Sequence, residues 1–325
     1  MSMPHSAASQ NVAVAEKDFA SDVEYYLTLE PRQLPSRYLY DPLGSALFDA
    51  ICELPWYRIT RAELRLLDAH APAILAHGAP LRRIVELGPG NGKKLMTLIE
   101  AGRRGSAVPL HLHLIDVSAK ALDEAGDGLA RLDDVEIVKH QATYESGLRE
   151  VAQTGERTLV LFLGSNIGNF DRPGADAFLR SIRAALDPGD DLLVGADLVK
   201  PECELLLAYD DPLGVTAAFN RNLLVRINRE LGGDFDIDAF GHRAVWNRDE
   251  SRVEMHLVSR RRQRVRISSA NIDVTMKEGE TIWTESSYKY EPDELAALLE
   301  RAGFRPVERW LAAEERFALL LVRAV

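Results

Sequence analysis

Two short stretches of this chain place reactive side chains at spacings that suggest chemistry: TESSYKY, Thr284 to Tyr290, and IVELGPGNGKK, Ile84 to Lys94. In an extended strand successive side chains alternate, so Glu285, Ser287 and Lys289 share one face, and Thr284, Ser286, Tyr288 and Tyr290 the other. A carboxylate and a hydroxyl two residues apart can grip a polar heterocycle. The same pattern is also what an ordinary solvated strand face looks like. In the second stretch an acid, Glu86, is followed by Gly88, Gly90 and Gly92. Missing Cβ atoms let a backbone approach a nucleoside, and a neighbouring carboxylate attracts a cationic ligand. The spacing is GxGxG. A dinucleotide fingerprint needs its third glycine at position 93, where Lys93 stands, and a Walker loop needs a longer loop ending in GKS or GKT. The sequence fits neither.

The elements that must position these residues follow from periodicity. RRIVEL, the glycine turn and KKLMTLIEA read as strand, loop and helix; LHLHLIDV followed by SAKALDEAGDGLARL repeats the unit. VEIVKH, TLVLFLGSNIGNF, the helix ADAFLRSIRAAL, the turn DPGD and the run DLLVGADLV continue it. Short apolar runs alternating with helices imply a parallel, doubly wound sheet. Before residue 71 short helices are punctuated by Pro31, Pro35, Pro42 and Pro55 among many aromatics. After Lys200 come two helical stretches, a hairpin turning at NRDES, and further antiparallel runs; DELAALLERAGF is a helix ended by Gly303 before two closing strands. The expected division is a disordered segment over 1–16, a lobe formed by 17–70 and 200–285, and an α/β core formed by 71–199 and 286–325.

Composition narrows the function classes. With 325 residues, 46% of them hydrophobic, the chain has enough material for a core domain with a second lobe. Its net charge of −11 argues against a nucleic-acid partner, whose phosphates draw on clustered Lys and Arg. The basic run Arg260, Arg261, Arg262, Arg264 and Arg266 alternates with Val265 and Ile267 and reads as a solvated strand face. Two cysteines without a CxxC form no disulfide framework, and the histidines show no metal-ligand spacing, so no metal is expected. The N-terminal residues lack the apolar stretch of a signal peptide, and no apolar run approaches a membrane span. A monomeric, cytoplasmic protein acting on a small molecule is the expectation.

The strand-end acid followed by GxGxG is similar to the first motif of class I methyltransferases, which use S-adenosylmethionine. Asp116, ending the next strand in LHLIDVS, stands where a carboxylate accepts both ribose hydroxyls in Rossmann-like sheets. Longer strings then become recognisable together: RYLYDPLGSALFDAICELPWYRITRAE, FLGSNIGNF, AYDDPLGVTAAFNRN, FDIDAFGHRAVWN and TESSYKY. Together they resemble the L-histidine Nα-methyltransferases of the ergothioneine pathway, from about residue 20 to the end.

The resemblance implies a Rossmann-like class I core with an inserted α+β substrate lobe. The activity it implies is three successive methyl transfers from S-adenosylmethionine to the α-amino nitrogen of histidine. By position, the family's carboxylate-binding Asn and Tyr correspond to Asn169 and Tyr209, and its imidazole-binding Glu and Ser to Glu285 and Ser287. Tyr40 and Tyr57 resemble the tyrosines flanking the amine and the ring, with Phe48 and Met255 lining the same pocket. On the cofactor side Gly88, Lys94 and Asp116 match. The chain departs from members that carry an acid and a Phe at the adenine after the third strand: here Thr143 and Tyr144 stand there.

Methyl transfer to nitrogen is an in-line displacement, so catalysis comes mostly from positioning the amine lone pair behind the methyl carbon. Tyr40 is the candidate to orient the amine and help remove its proton. A phenol near pKa 10 is a weak base for that task. Tyrosine faces can receive the cationic products without N–H donors. Other classes remain open: a methyltransferase of the same fold acting on tryptophan or tyrosine, and a catalytically silent cofactor-binding regulator. Met255 and Glu285 favour histidine over a larger indole, and the polar pocket residues are all present.

Overall fold

The protein is described from a computed structural model over residues 7–77, 80–103, 109–151 and 155–325, with side chains from residue 18 onward. The chain forms two compact units: a larger one of Tyr57–Pro201, Arg248–Arg252 and Ser287–Val325, and a smaller one of the residues up to Trp56, Glu202–Asn247 and Val253–Ser286.

The larger unit is built on a seven-stranded sheet ordered Phe304–Ala312, Phe317–Ala324, Asp191–Asp197, Thr158–Phe162, Arg83–Leu87, Leu110–Asp116 and Val135–Gln141. The five strands from Asp191–Asp197 to Val135–Gln141 are parallel. The last two in the chain run antiparallel to each other, and Phe317–Ala324 also runs antiparallel to its other neighbour, Asp191–Asp197. The link between Ala312 and Phe317 is long enough for a hairpin, whereas a parallel crossover needs a dozen or more residues. On one face the helices Arg172–Ala185 and Pro292–Arg301 bury Phe178, Leu179, Ile182, Leu295 and Leu299 against sheet residues such as Phe162 and Val194. The helix Ile59–Ala76 packs against Lys93–Gly102 and against the strand Phe317–Ala324. Strand Arg83–Leu87 lies between Thr158–Phe162 and Leu110–Asp116, so the chain order reverses beside it. That is where an open α/β sheet leaves a crevice at its strand ends.

The smaller unit contains the helices Ala7–Thr28, Pro42–Glu53, Glu202–Tyr209 and Val215–Leu231. Its four-stranded sheet is ordered Arg32–Gln33, Thr281–Tyr288, Arg252–Ser259 and Phe240–Asn247. Gln263–Ile267 and Ile272–Met276 form a separate antiparallel pair, in which Val265 and Ile267 are buried and the flanking arginines face solvent. Helix Pro42–Glu53 starts where it does because Asp41 caps it, accepting from Gly44 N at 2.7 Å. Asp41 is buried and also takes Arg229 at 2.6 Å and Asn222 Nδ2 at 2.6 Å. Burial alone would raise its pKa; the Arg229, Gly44 and Asn222 bonds hold it below the usual carboxylate value.

Two boundaries differ from the sequence expectation. The segment 1–16 reads as disordered, but a helix already runs from Ala7 to Thr28; residues 1–6 lie outside the described residues. Phe19, Val23 and Leu27, spaced four apart, are buried and anchor that helix, which then continues through good helix formers toward its start. The expected break at residue 70 falls instead between Trp56 and Tyr57, because Ile59–Ala76 is one continuous helix carrying Leu66, Leu67, Ile74 and Leu75 into the larger unit. Among the described residues, no helix is long and apolar enough to cross a membrane, and no group of three His, Cys, Asp or Glu could hold a metal ion.

Candidate active site

In the larger unit the strand Arg83–Leu87 is buried along its whole length and delivers Glu86 into the interior, 1% exposed. The loop that follows has positive φ at Gly88 (73°), Gly90 (56°) and Gly92 (75°). Two of these positions are closed to any side chain. A Cβ at Gly88 would lie 2.6 Å from the Tyr144 hydroxyl, and one at Gly92, which opens the helix Lys93–Gly102, would lie 2.9 Å from Ala125 Cα. Gly88 N donates to Ile115 O at 2.9 Å, holding the loop beside the end of the neighbouring strand.

That strand ends in Asp116, whose Oδ1 accepts from Ser118 N at 2.8 Å. Burial raises the Asp116 pKa, against the pull of the Ser118 and Val117 amides. The Glu86 carboxyl is pushed up to about 8, chiefly by burial, with Lys94 lowering it and Glu63 and Asp116 raising it. Its Oε2 is buried and has no hydrogen-bond partner among the described residues. A buried carboxylate oxygen without a partner, beside a backbone loop shaped for close approach, fits a ligand that brings a cation and N–H donors. The cationic methionine part of S-adenosylmethionine meets that description.

Lys94 sits one residue into the following helix, its Nζ 2.9 Å from Glu63 Oε2. Glu63, from helix Ile59–Ala76, is fully buried and accepts from Gly164 N at 2.9 Å. Thr143 is exposed, and its Oγ1 caps the helix Tyr144–Glu150 by accepting from Ser146 N. Tyr144 packs its ring against Phe162 and Phe178 at 5.9 and 5.7 Å. Burial raises the pKa of its hydroxyl, which stands over Gly88. Of the two residues at the departure from the family pattern, Tyr144 therefore reaches the glycine loop, while Thr143 is spent on a helix cap.

Three substrate candidates belong to this unit. Tyr57 is buried just ahead of helix Ile59–Ala76. Asn169 is exposed at the end of the 3-10 turn Asn166–Asn169, which follows strand Thr158–Phe162. Gly168 seats this turn on the backbone of Tyr288: a Cβ there would lie 2.6 Å from Tyr288 O. Ser287 is therefore brought to the same end of the sheet; it is buried, and its Oγ accepts from Lys289 Nζ at 2.9 Å.

The other candidates belong to the smaller unit. Tyr40 and Phe48, both half-buried, form an aromatic triangle with Phe219, with ring centroids 5.5 to 6.0 Å apart. Met255 and Glu285 lie on the adjacent strands Arg252–Ser259 and Thr281–Tyr288, and Tyr209 ends the helix Glu202–Tyr209. A polar chain connects the last two elements. Thr284 Oγ1 lies 2.7 Å from Asn220 Oδ1, Asn220 Nδ2 bonds His242 Nδ1 at 2.9 Å, and His242 Nε2 donates to Tyr209 O at 2.8 Å. Because a carbonyl only accepts, the His242 proton is on Nε2 and Nδ1 receives the Asn220 amide. Burial lowers the His242 pKa, which keeps that neutral tautomer, against the Tyr209 bond that raises it.

Sequence reasoning missed Glu63, Asn166, Asn220 and His242, whose partners are remote in the chain. Asn166 Nδ2 flanks the position a Cβ would take at Gly88, 3.2 Å away.

Residues 19–324 match the model of the family described as histidine-specific methyltransferase, SAM-dependent. The histidine N-alpha-methyltransferase of Mycolicibacterium smegmatis is 42% identical over 92% of this chain and 93% of its own length. The Mycobacterium tuberculosis protein of the same name is 43% identical over the same shares. Ergothioneine biosynthesis protein 1 of Schizosaccharomyces pombe is 30% identical over 87% of this chain and 38% of its own length. This chain belongs to the histidine-specific, S-adenosylmethionine-dependent methyltransferases.

Proposed function

We propose that the chain methylates the α-amino nitrogen of L-histidine three times in turn, giving Nα,Nα,Nα-trimethylhistidine (hercynine) for ergothioneine biosynthesis, as a cytoplasmic monomer. The observation that carries this reading is the 42–43% identity to the two mycobacterial enzymes over nearly the whole of both chains. S-adenosylmethionine, when bound, supplies a methyl group on a cationic sulfur. The chain's own residues bind, orient and exclude water.

On the cofactor side, Gly88, Gly90 and Gly92 admit the nucleoside to the backbone. Asp116 accepts from the ribose hydroxyls, Glu86 faces the cationic part and Lys94 the carboxylate; Tyr144 borders the loop, with Thr143 behind it. On the substrate side, Asn169 and Tyr209 donate to the histidine carboxylate. Glu285 accepts the imidazole N–H, Ser287 bonds the other ring nitrogen, and Tyr57, Phe48 and Met255 shape the ring's surroundings. Rings without a donor and an acceptor make neither of these bonds and are rejected for that reason. Tyr40 orients the amine lone pair toward the methyl group and accepts its proton directly or through water. Tyr40, Phe48, Tyr209, Met255 and Glu285, all in the smaller unit, carry most of the substrate recognition in this reading.

Incubation of the protein with S-adenosylmethionine and each amino acid separately, with products read by mass, tests the proposal. Trimethylhistidine from histidine alone is the expected result. Methylated tryptophan or tyrosine with untouched histidine would transfer the assignment to another amino acid of the same chemistry.

A further inference from the structure

Glu63 has no role in the function proposed above, yet it is a fully buried carboxylate within helix Ile59–Ala76. It shares the buried stripe of Ile59, Ala62, Leu66 and Leu67, where an apolar side chain would fill the space without the cost of desolvating a charge. Its two oxygens are held by groups from two other segments. Lys94 Nζ lies 2.9 Å from Oε2, and Gly164 N lies 2.9 Å from each oxygen. Lys94 belongs to the first turn of the helix that follows the glycine loop, and Gly164 to the link from strand Thr158–Phe162 to the turn Asn166–Asn169.

Two glycines leave the room that this ion pair occupies. A Cβ at Gly195, inside the fully buried strand Asp191–Asp197, would lie 2.0 Å from Glu63 Oε1. One at Gly164 would lie 2.7 Å from Lys94 Nζ. Glycine inside a strand weakens it and marks a close approach, here that of a charged group to the sheet. Both charges are also felt at the glycine loop, where Lys94 lowers the pKa of Glu86 and Glu63 raises it. We propose that Glu63 is a positioning residue that pins the Lys94 ammonium where it meets the carboxylate of S-adenosylmethionine. The inference rests on the reading of Lys94 as the contact for that carboxylate. Without the pin, an ammonium on a flexible four-carbon stem is spread over many rotamers, and the cost of ordering it falls on the ligand.

The test measures binding of two ligands to the full chain by calorimetry: S-adenosylhomocysteine and methylthioadenosine. The second keeps the nucleoside and the sulfur but has neither the carboxylate nor the ammonium. The variants are Glu63→Gln, which retains an oxygen for the Gly164 amide and loses the charge, Lys94→Met, and the two together. Glu63→Gln and Lys94→Met should each weaken S-adenosylhomocysteine by about tenfold, the loss of one hydrogen bond to a charged group, and leave methylthioadenosine nearly unchanged. The double variant should bind no more weakly than Lys94→Met alone, and it replaces that variant if the unpaired Glu63 charge keeps Lys94→Met from folding.

Normal binding of both ligands by Lys94→Met removes Lys94 from the carboxylate and with it the reading beneath the proposal. Selective loss of S-adenosylhomocysteine in Lys94→Met but not in Glu63→Gln overturns the positioning role alone. Equal weakening of both ligands in Glu63→Gln marks a general disturbance of the loop, and tighter S-adenosylhomocysteine marks a charge that only offsets Lys94; either overturns the proposal. If Glu63→Gln does not fold, Glu63→Asp decides, because it keeps the charge and withdraws it by one methylene. Selective loss of S-adenosylhomocysteine there supports the pin, and any other pattern overturns it.

Discussion

The glycine loop and the Thr284–Asn220–His242–Tyr209 chain are held in place by opposite means. At the loop, position depends on atoms that are absent: Gly88 and Gly92 adopt positive φ and leave room that Tyr144 and Ala125 already crowd. In the smaller unit, position depends on side chains that are present: Thr284, Asn220 and His242, each bonded to the next and the last to the Tyr209 main-chain carbonyl, all buried or half-buried. A backbone device is local and is written in a few consecutive residues. A side-chain chain is assembled from four separate segments and leaves no short motif. In the proposed function the first serves a cofactor common to many enzymes, and the second belongs to the part of the molecule that would choose the substrate.

Substitutions can separate the two. The largest effect is expected from Glu285→Ala, which should lower kcat/KM for histidine by about 2 to 5 kcal/mol while cofactor affinity stays near normal. Unchanged histidine kinetics would exclude Glu285 from the site. Asp116→Ala should weaken S-adenosylmethionine by about 1.5 to 3 kcal/mol, measured by calorimetry, and leave histidine selectivity alone; normal cofactor affinity contradicts its ribose role.

Gly88→Ala should cost about 1 to 2 kcal/mol of stability in thermal or denaturant unfolding, because its φ of 73° strains any residue with a Cβ. Adding Tyr144→Phe should recover part of that cost by removing the hydroxyl the new Cβ meets. Full stability in Gly88→Ala alone would break the contrast drawn above. Tyr40→Phe should slow turnover about fivefold, the loss of roughly 1 kcal/mol, with a smaller change in KM; an unaltered rate constant sinks its part in proton removal.

The smallest effect is a proton balance at Glu86. Its pKa of about 8 in the fold lies above the ordinary 4.5, so the group's favourable contribution to stability is complete below 4.5 and is lost as pH rises through about 8. A cationic ligand favours the carboxylate, so cofactor binding near neutral pH should release up to about one proton. Cofactor affinity should then rise with pH and level off above about 8. Calorimetry in buffers of different ionisation enthalpy reads that release directly, and a value of zero would show that Glu86 does not face the cation.

The loop with Glu86 and Asp116 was legible in the sequence because strand, turn and helix follow one another without a break. The longer strings identified the family for the same reason. Glu63 was not legible: it meets Gly164 N from 101 positions away, and Asn220 meets Thr284 from 64. The expected boundary at residue 70 failed because helical periodicity marks a helix without saying which body its apolar face joins. The start of Ala7–Thr28 was misread because local composition was weighed without the anchor that Phe19, Val23 and Leu27 find in the smaller unit.

Lys289 draws the line most sharply. Alternation alone put Glu285, Ser287 and Lys289 on one strand face, since side-chain direction in a strand is a property of the local backbone. What that face holds depends on Asp197, which arrives from another strand to pair with the ammonium beside Ser287. The sequence by itself determined the periodicities, the glycine loop and the family, all carried by neighbouring residues. Only the tertiary structure decided which buried charges meet, because desolvation and hydrogen bonding act between atoms close in space wherever they lie in the chain.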